Sequence, residues 1–296
     1  MFASLRVVHR FVAMLTTLLM YASAAQLAQN PSPMKDTTRD HTRVEEQQVP
    51  GRRLTVSLGT LMLPLEGKPT MLIVHFHSLP WLVEYAAQKR FPSAAVLTMN
   101  LNGASDVYRE PFVDVTRFGK LIDEAEAAAK CSFHTIVLSS FSAGYGAIRE
   151  ILREKSNWPR ISSVILADSL YADYGHEADD LGPFLAYIQG GKRLIMTHSE
   201  LYPGTYEATF EAADWLLSKV GAKRKAILKW GPVGMQQLSE TSRGGFIVLG
   251  FAGNTADDHV DHLFGLDQWY ALALPPPPSP PRPARPKPTA TRPTKK

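Results

Sequence analysis

The chain holds a single cysteine, Cys131, so no disulfide can form within it and its fold must rest on an ordinary hydrophobic core. It has little long hydrophobic sequence. The uncharged stretch at residues 11–25 falls short of the roughly 20 apolar residues that a membrane-spanning helix needs. Arg6 and Arg10 precede that stretch and the small residues Ala22, Ser23 and Ala24 close it, so residues 1–25 read as a secretory signal peptide. A secreted or periplasmic location is the corresponding expectation, and the absence of a nearby cysteine excludes a lipoprotein anchor.

Net positive charge is lacking away from the ends. The formal net charge is +4, but six cations lie beyond Leu274 (Arg282, Arg285, Lys287, Arg292, Lys295 and Lys296) and two more are Arg6 and Arg10. Subtracting those eight from +4 leaves the segment between at −4. The basic balance is therefore a property of the termini and gives no support to a nucleic-acid-binding domain. Residues 275–296 are proline-rich with no apolar side chain larger than alanine or proline, which predicts an extended, disordered tail suited at most to weak contact with an anionic envelope surface. Residues 26–50 read as a polar, loose leader, and residues 51–274 have the length of one domain.

Within that domain, short β-branched runs alternate with stretches of helical period. Residues 53–63 suggest a strand or hairpin. Residues 71–76, 94–99, 135–138, 161–167, 193–197 and 246–251 read as strands, and residues 81–90, 115–130, 143–152, 181–189, 206–220 and a segment starting near His259 as helices. Such alternation predicts an α/β fold: a mostly parallel, doubly wound sheet with helices on both faces.

The most informative stretch is residues 134–152. A buried strand turns at Ser142 into an amphipathic helix whose apolar positions Ala147, Ile148, Ile151 and Leu152 recur at helical spacing. Ser140, Ser142 and Gly144 spell S-x-S-x-G, which is the layout of a nucleophile elbow with serine in place of its first glycine. Small neighbours two before and two after let strand and helix pack around a strained turn. The competing reading makes Ser142 a helix N-cap. A dinucleotide-binding turn lacks its third glycine, since only Gly144 and Gly146 are present.

The order of these segments resembles the α/β-hydrolase fold family, of the serine esterase or lipase type, over most of residues 51–274. The elbow follows what would be the family's fifth strand, and His75-Phe-His-Ser78 stands where the family carries its oxyanion turn, often written His-Gly. The resemblance implies a serine, acid and histidine in that chain order. Ser142 is then the nucleophile. His259, at a loop-to-helix boundary after the last strand, is favoured as the base over His262. Asp168, at the end of strand 163–167, is favoured as the acid over Glu200. The amide of Ala143 and one from the turn at Ser78 or Leu79 would face the oxyanion, with His77 orienting that turn. Tyr108, Trp81 and Tyr171 are candidate walls of the substrate pocket.

His75 and His77, two apart on a strand, also suit a metal pair, but no Asp-His follows at metallohydrolase spacing. The expectation is therefore a serine hydrolase, a carboxylic-ester hydrolase acting through an acyl-enzyme on a small-molecule or lipid-like ester, without metal or organic cofactor. A peptidase or acyltransferase using the same residues, and a non-catalytic envelope protein retaining the fold, are the alternatives.

Overall fold

The computed structural model describes residues 41–274, so the expected signal peptide, most of the polar leader and the proline-rich tail lie outside the described residues. Five strands form the centre of the sheet because their residues are apolar on both faces. They are β3 (Met71–Phe76), β4 (Ala95–Met99), β5 (Thr135–Phe141), β6 (Ile161–Ala167) and β7 (Arg193–His198). Period-two alternation sends Leu72, Val74, Ile136, Leu138, Val164 and Leu166 into one core, and Ile73, Val137 and Ile165 into the other.

Helices close both faces. Against the first core lie α3 (Arg117–Ala129), α4 (Tyr145–Arg153), α5 (Glu177–Gln189) and α6 (Thr209–Lys219), which contribute Phe118, Ile148, Phe184 and Leu216. Against the second lie α1 (Pro80–Arg90), α7 (Ala256–Phe264) and α8 (Leu266–Ala271), with Val83, Leu263 and Trp269. Each fully buried side chain of this size contributes about 1.5–3 kcal/mol. The short α2 (Ser105–Arg109) follows β4, with Tyr108 buried.

The remaining strands extend the sheet at its edges. β1 (Arg52–Val56) and β2 (Gly59–Leu63) form an antiparallel hairpin, while β10 (Phe246–Phe251) runs parallel to β7 and antiparallel to β9 (Gln236–Arg243), which pairs with β8 (Lys225–Trp230). The ten-stranded order is β1-β2-β4-β3-β5-β6-β7-β10-β9-β8, a mostly parallel α/β sheet with helices on both faces. Consecutive connections leave β3 and β5 in opposite directions, so the carboxyl ends of these neighbours make the switch-point crevice where open α/β sheets bind ligands.

Two features depart from the sequence expectation. Strands β8 and β9 were not foreseen: β8 is exposed at nearly every position and β9 is largely polar, so neither carries the apolar pattern of a buried strand. Part of the leader expected to be loose is docked. Val49 is buried in the second core, Thr42 N–H donates to the Val233 carbonyl, and Arg43 Nε donates to Asp261 Oδ1 at 2.7 Å.

Candidate active site

Ser142 sits at the carboxyl end of β5 with φ of +48°, in the left-handed region that costs a residue with a side chain of order 1–3 kcal/mol. Close packing dictates what stands beside it. A Cβ at Gly144 would run into the Phe76 carbonyl oxygen, so only glycine lets the elbow settle against β3. Ser140 is buried where a glycine was expected, and its hydroxyl is satisfied by Ser169 Oγ at 2.8 Å. Ser169 in turn donates to the Ser142 carbonyl at 2.8 Å, tying the elbow to the turn after β6. The capping alternative does not fit, because the caps ahead of this turn and of α4 are Phe141 and Gly144 and neither makes a side-chain cap bond.

Asp168 ends β6 in a second strained turn, with φ of +44° and no exposure. Its Oδ2 accepts from Ser199 Oγ at 2.6 Å and faces His259 Nδ1 at 2.7 Å, while Oδ1 accepts from the Ser199 amide at 3.1 Å and from Thr209 Oγ1. Burial alone would raise this carboxyl, but the nearby His262, the bond to His259 and the Ser199 hydroxyl overcome it and hold Asp168 well below the usual carboxylate range. An ionised Asp168 can only accept, so His259 carries its proton on Nδ1 and leaves Nε2 free to accept.

His259 reaches this position from the first turn of α7. Thr255 caps that helix in a reciprocal box with Asp258, and Asp257 and Asp261 are held by Arg43. The acidic stretch is thus absorbed by capping and ion pairing. The imidazole stacks on Phe141, the residue before Ser142, with centroids 4.5 Å apart. Its rival His262 is fully buried, bonds Thr197 Oγ1 through Nδ1 at 2.7 Å, and is pushed down to about 4 by burial. Glu200 follows β7 through Ser199, and its amide donates to the Gly253 carbonyl at 2.8 Å. The contact to His259 comes from Asp168.

At the facing turn His77 has φ of +65° and its amide donates to the Met99 carbonyl at 2.9 Å, while the Ser78 amide donates to Asn100 Oδ1 at 3.3 Å. Leu79, the N-cap of α1, has an amide with no acceptor among the described residues. Ala143 lies at the start of a one-turn 3₁₀ helix, ahead of any helical acceptor. Tyr108 OH donates to the Leu101 carbonyl at 2.6 Å and lies 2.9 Å from His77 Nδ1, so His77 donates to it. Burial, then the neighbouring His259, lowers His77.

The paired-histidine reading fails geometrically. The reversal at His77 breaks strand alternation, and His75 is buried against Ser139 Oγ at 2.7 Å while His77 meets Tyr108. The described residues bring together one group with metal-ligand chemistry, His41, Asp258 and Asp261. Arg43 already occupies Asp261 and Asp258 is committed to its cap, so the donor set is poorly suited to a cation.

A cleft of about 700 Å³ opens on Ser142 and runs along α4. Tyr171 lines it as expected. Tyr108 and Trp81 do not: the first is buried beneath the His77 turn and the second packs against Phe264. Tyr145 and Tyr206, which no motif singled out, are the other aromatic walls.

No protein-family model matches the chain, and no curated protein matches it. Among solved structures it is similar to an IroE-like serine hydrolase from Shewanella oneidensis, at 14% identity and a TM-score of 0.46 over 76% of this chain and 80% of that one. It is similar also to a carboxylesterase from Bacillus cereus (14% identity, TM-score 0.42, 72% of this chain and 93% of that one). A third is an acetyl xylan esterase from Aspergillus awamori (10%, 0.43, 73% and 98%).

Proposed function

We propose that the chain is a serine hydrolase cleaving carboxylic esters, with Ser142 as nucleophile, His259 as general base and Asp168 as the acid that orients it. The observation that carries this is the 2.7 Å contact of His259 Nδ1 with a buried Asp168, made by an imidazole stacked beside a strained serine turn. A serine hydroxyl is a weak nucleophile by itself and needs such a partner.

His259 Nε2 takes the Ser142 proton as Oγ attacks the ester carbonyl, and Asp168 stabilises the imidazolium that forms. The amides of Ala143 and Leu79 supply hydrogen bonds to the developing oxyanion. Nε2 then returns the proton to the departing alkoxide, leaving an acyl-Ser142. Water, deprotonated by the same nitrogen, releases the acid and restores the hydroxyl. These residues complete the cycle by proton transfer and backbone donation. Export to the periplasm or beyond, from the signal-like N terminus, belongs to the same proposal.

The test is covalent labelling by a fluorophosphonate probe together with turnover of p-nitrophenyl acetate. Ser142→Ala is expected to abolish labelling and lower turnover about 10⁴-fold or more. Labelling that persists at another serine, or no labelling of the parent chain, would overturn the assignment.

A further inference from the structure

One wall of the cleft beside Ser142 is built from a face of α4 and the turn that leads into it. Ser142, Tyr145, Arg149 and Arg153 fall three or four residues apart and all line it. That face is polar because the opposite face, with Ile148, Ile151 and Leu152, is spent on the core. The other walls come from the segments after β4, β6 and β7. No aliphatic side chain larger than alanine lines the cleft. A long acyl chain laid there would gain little from burial and would strip water from charged groups.

Most of the charges of the cleft are paired with one another. Arg149 binds Asp180, and Glu150 lies 3.5 Å from Arg109 and 3.1 Å from Arg153. Three guanidinium groups face four carboxylates around the lining, so no net positive field draws an anion in. The aromatic surface is a run of three tyrosines. Tyr145 and Tyr171 have centroids 5.6 Å apart, and Tyr171 and Tyr206 meet edge-on at 5.5 Å. Such rings offer a rigid apolar face ending in a hydroxyl. Arg149 Nε is buried with no hydrogen-bond partner and lies 4.0 Å from Glu150 Oε1.

Taken together, the tyrosine faces, the largely paired charges and the lack of aliphatic lining suit a neutral group dense in hydroxyls. We infer that the cleft binds an uncharged polyhydroxylated moiety, a glycosyl or polyol group, and that the ester cleaved at Ser142 joins a short acyl group to it. The substrate class rests on the serine hydrolase reading. The binding chemistry of the cleft does not.

The experiment compares kcat/KM of the full chain for methyl 6-O-acetyl-glucopyranoside, p-nitrophenyl acetate, p-nitrophenyl decanoate and the anionic ester monoethyl succinate. In parallel, binding of the acetylated glucoside to Ser142→Ala is followed by ligand-observed NMR. The acetylated glucoside is expected to exceed decanoate and succinate esters at least tenfold, and to bind the serine variant. Arg149→Leu and Glu150→Leu, each checked for an unchanged fold by circular dichroism, should lower the ratio of glucoside to p-nitrophenyl acetate turnover about tenfold. Preference for the decanoate or the succinate ester, with fluorophosphonate labelling of Ser142 intact, would overturn the inference alone. Binding of the glucoside without labelling or turnover of any ester would overturn the hydrolase reading and leave the cleft inference standing.

Discussion

Asp168 Oδ2 lies 2.7 Å from His259 Nδ1 although 91 residues separate the two in the chain. The contact exists because β6 delivers the carboxylate to the same sheet edge over which the first turn of α7 holds the imidazole. The rival base His262 is engaged elsewhere, buried on Thr197.

Asp168→Asn should therefore lower ester turnover by as much as about 10⁴-fold, since the amide no longer holds the Nδ1–H tautomer or stabilises the imidazolium. Glu200→Gln should have a much smaller effect. His259→Ala should match the serine variant, whereas His262→Ala should retain chemistry and lose about 1–3 kcal/mol of stability from its buried position. Turnover and denaturant midpoints measured on all four variants check this. A severe loss of turnover confined to Glu200→Gln would move the acid to the turn after β7.

The Ser140–Ser169–Ser142 linkage makes a second case. Ser169→Ala removes the donor to the Ser142 carbonyl and strands the buried Ser140 hydroxyl, at a cost of about 1–3 kcal/mol. It should slow fluorophosphonate labelling by about tenfold or more, because the elbow loses the bond that holds it in place. Ser140→Gly leaves the Ser169 bond to Ser142 intact and should be milder on both measures. The two substitutions together should cost less than their sum, as expected for neighbours in one network. Equal effects of the two single variants on labelling would show that Ser169 does not position the elbow.

Glu207 offers a pH test of the fold itself. Burial, then its hydrogen bond to Glu177 and the charges of Glu177, Glu211 and Asp180, raises its carboxyl from 4.5 to about 8. Between those values the folded chain keeps a proton that the unfolded chain releases, so stability falls as pH rises through this window. Glu207→Gln should consequently raise Tm relative to the parent at pH 8–9 and have little effect near pH 4.5. Thermal melts of both proteins at the two ends of the range decide it. A Tm difference independent of pH would place the ionisation elsewhere.

Much of the architecture is legible in the sequence. The β-branched runs 71–76, 161–167 and 246–251 are strands β3, β6 and β10 because a strand buried on both faces writes its environment locally, residue by residue. The strand, serine turn and helix around Ser142 were visible for the same reason, with apolar spacing changing from one period to the other across the turn. The edge strand β8 and its neighbour β9 left no such trace, since β8 is exposed at nearly every position and β9 is largely polar.

By itself, then, the sequence determined the alternation of strands and helices, the serine turn and a short set of acids and histidines at sheet-edge positions. All of these depend on neighbours a few residues away. Only the tertiary structure decided which carboxylate meets which imidazole, that the Ser140 hydroxyl is answered by Ser169, that Tyr108 and Trp81 turn away from the cleft, and that the polar face of α4 lines it. Those outcomes depend on strands brought side by side from distant parts of the chain, and on which flank of each helix the core has already claimed.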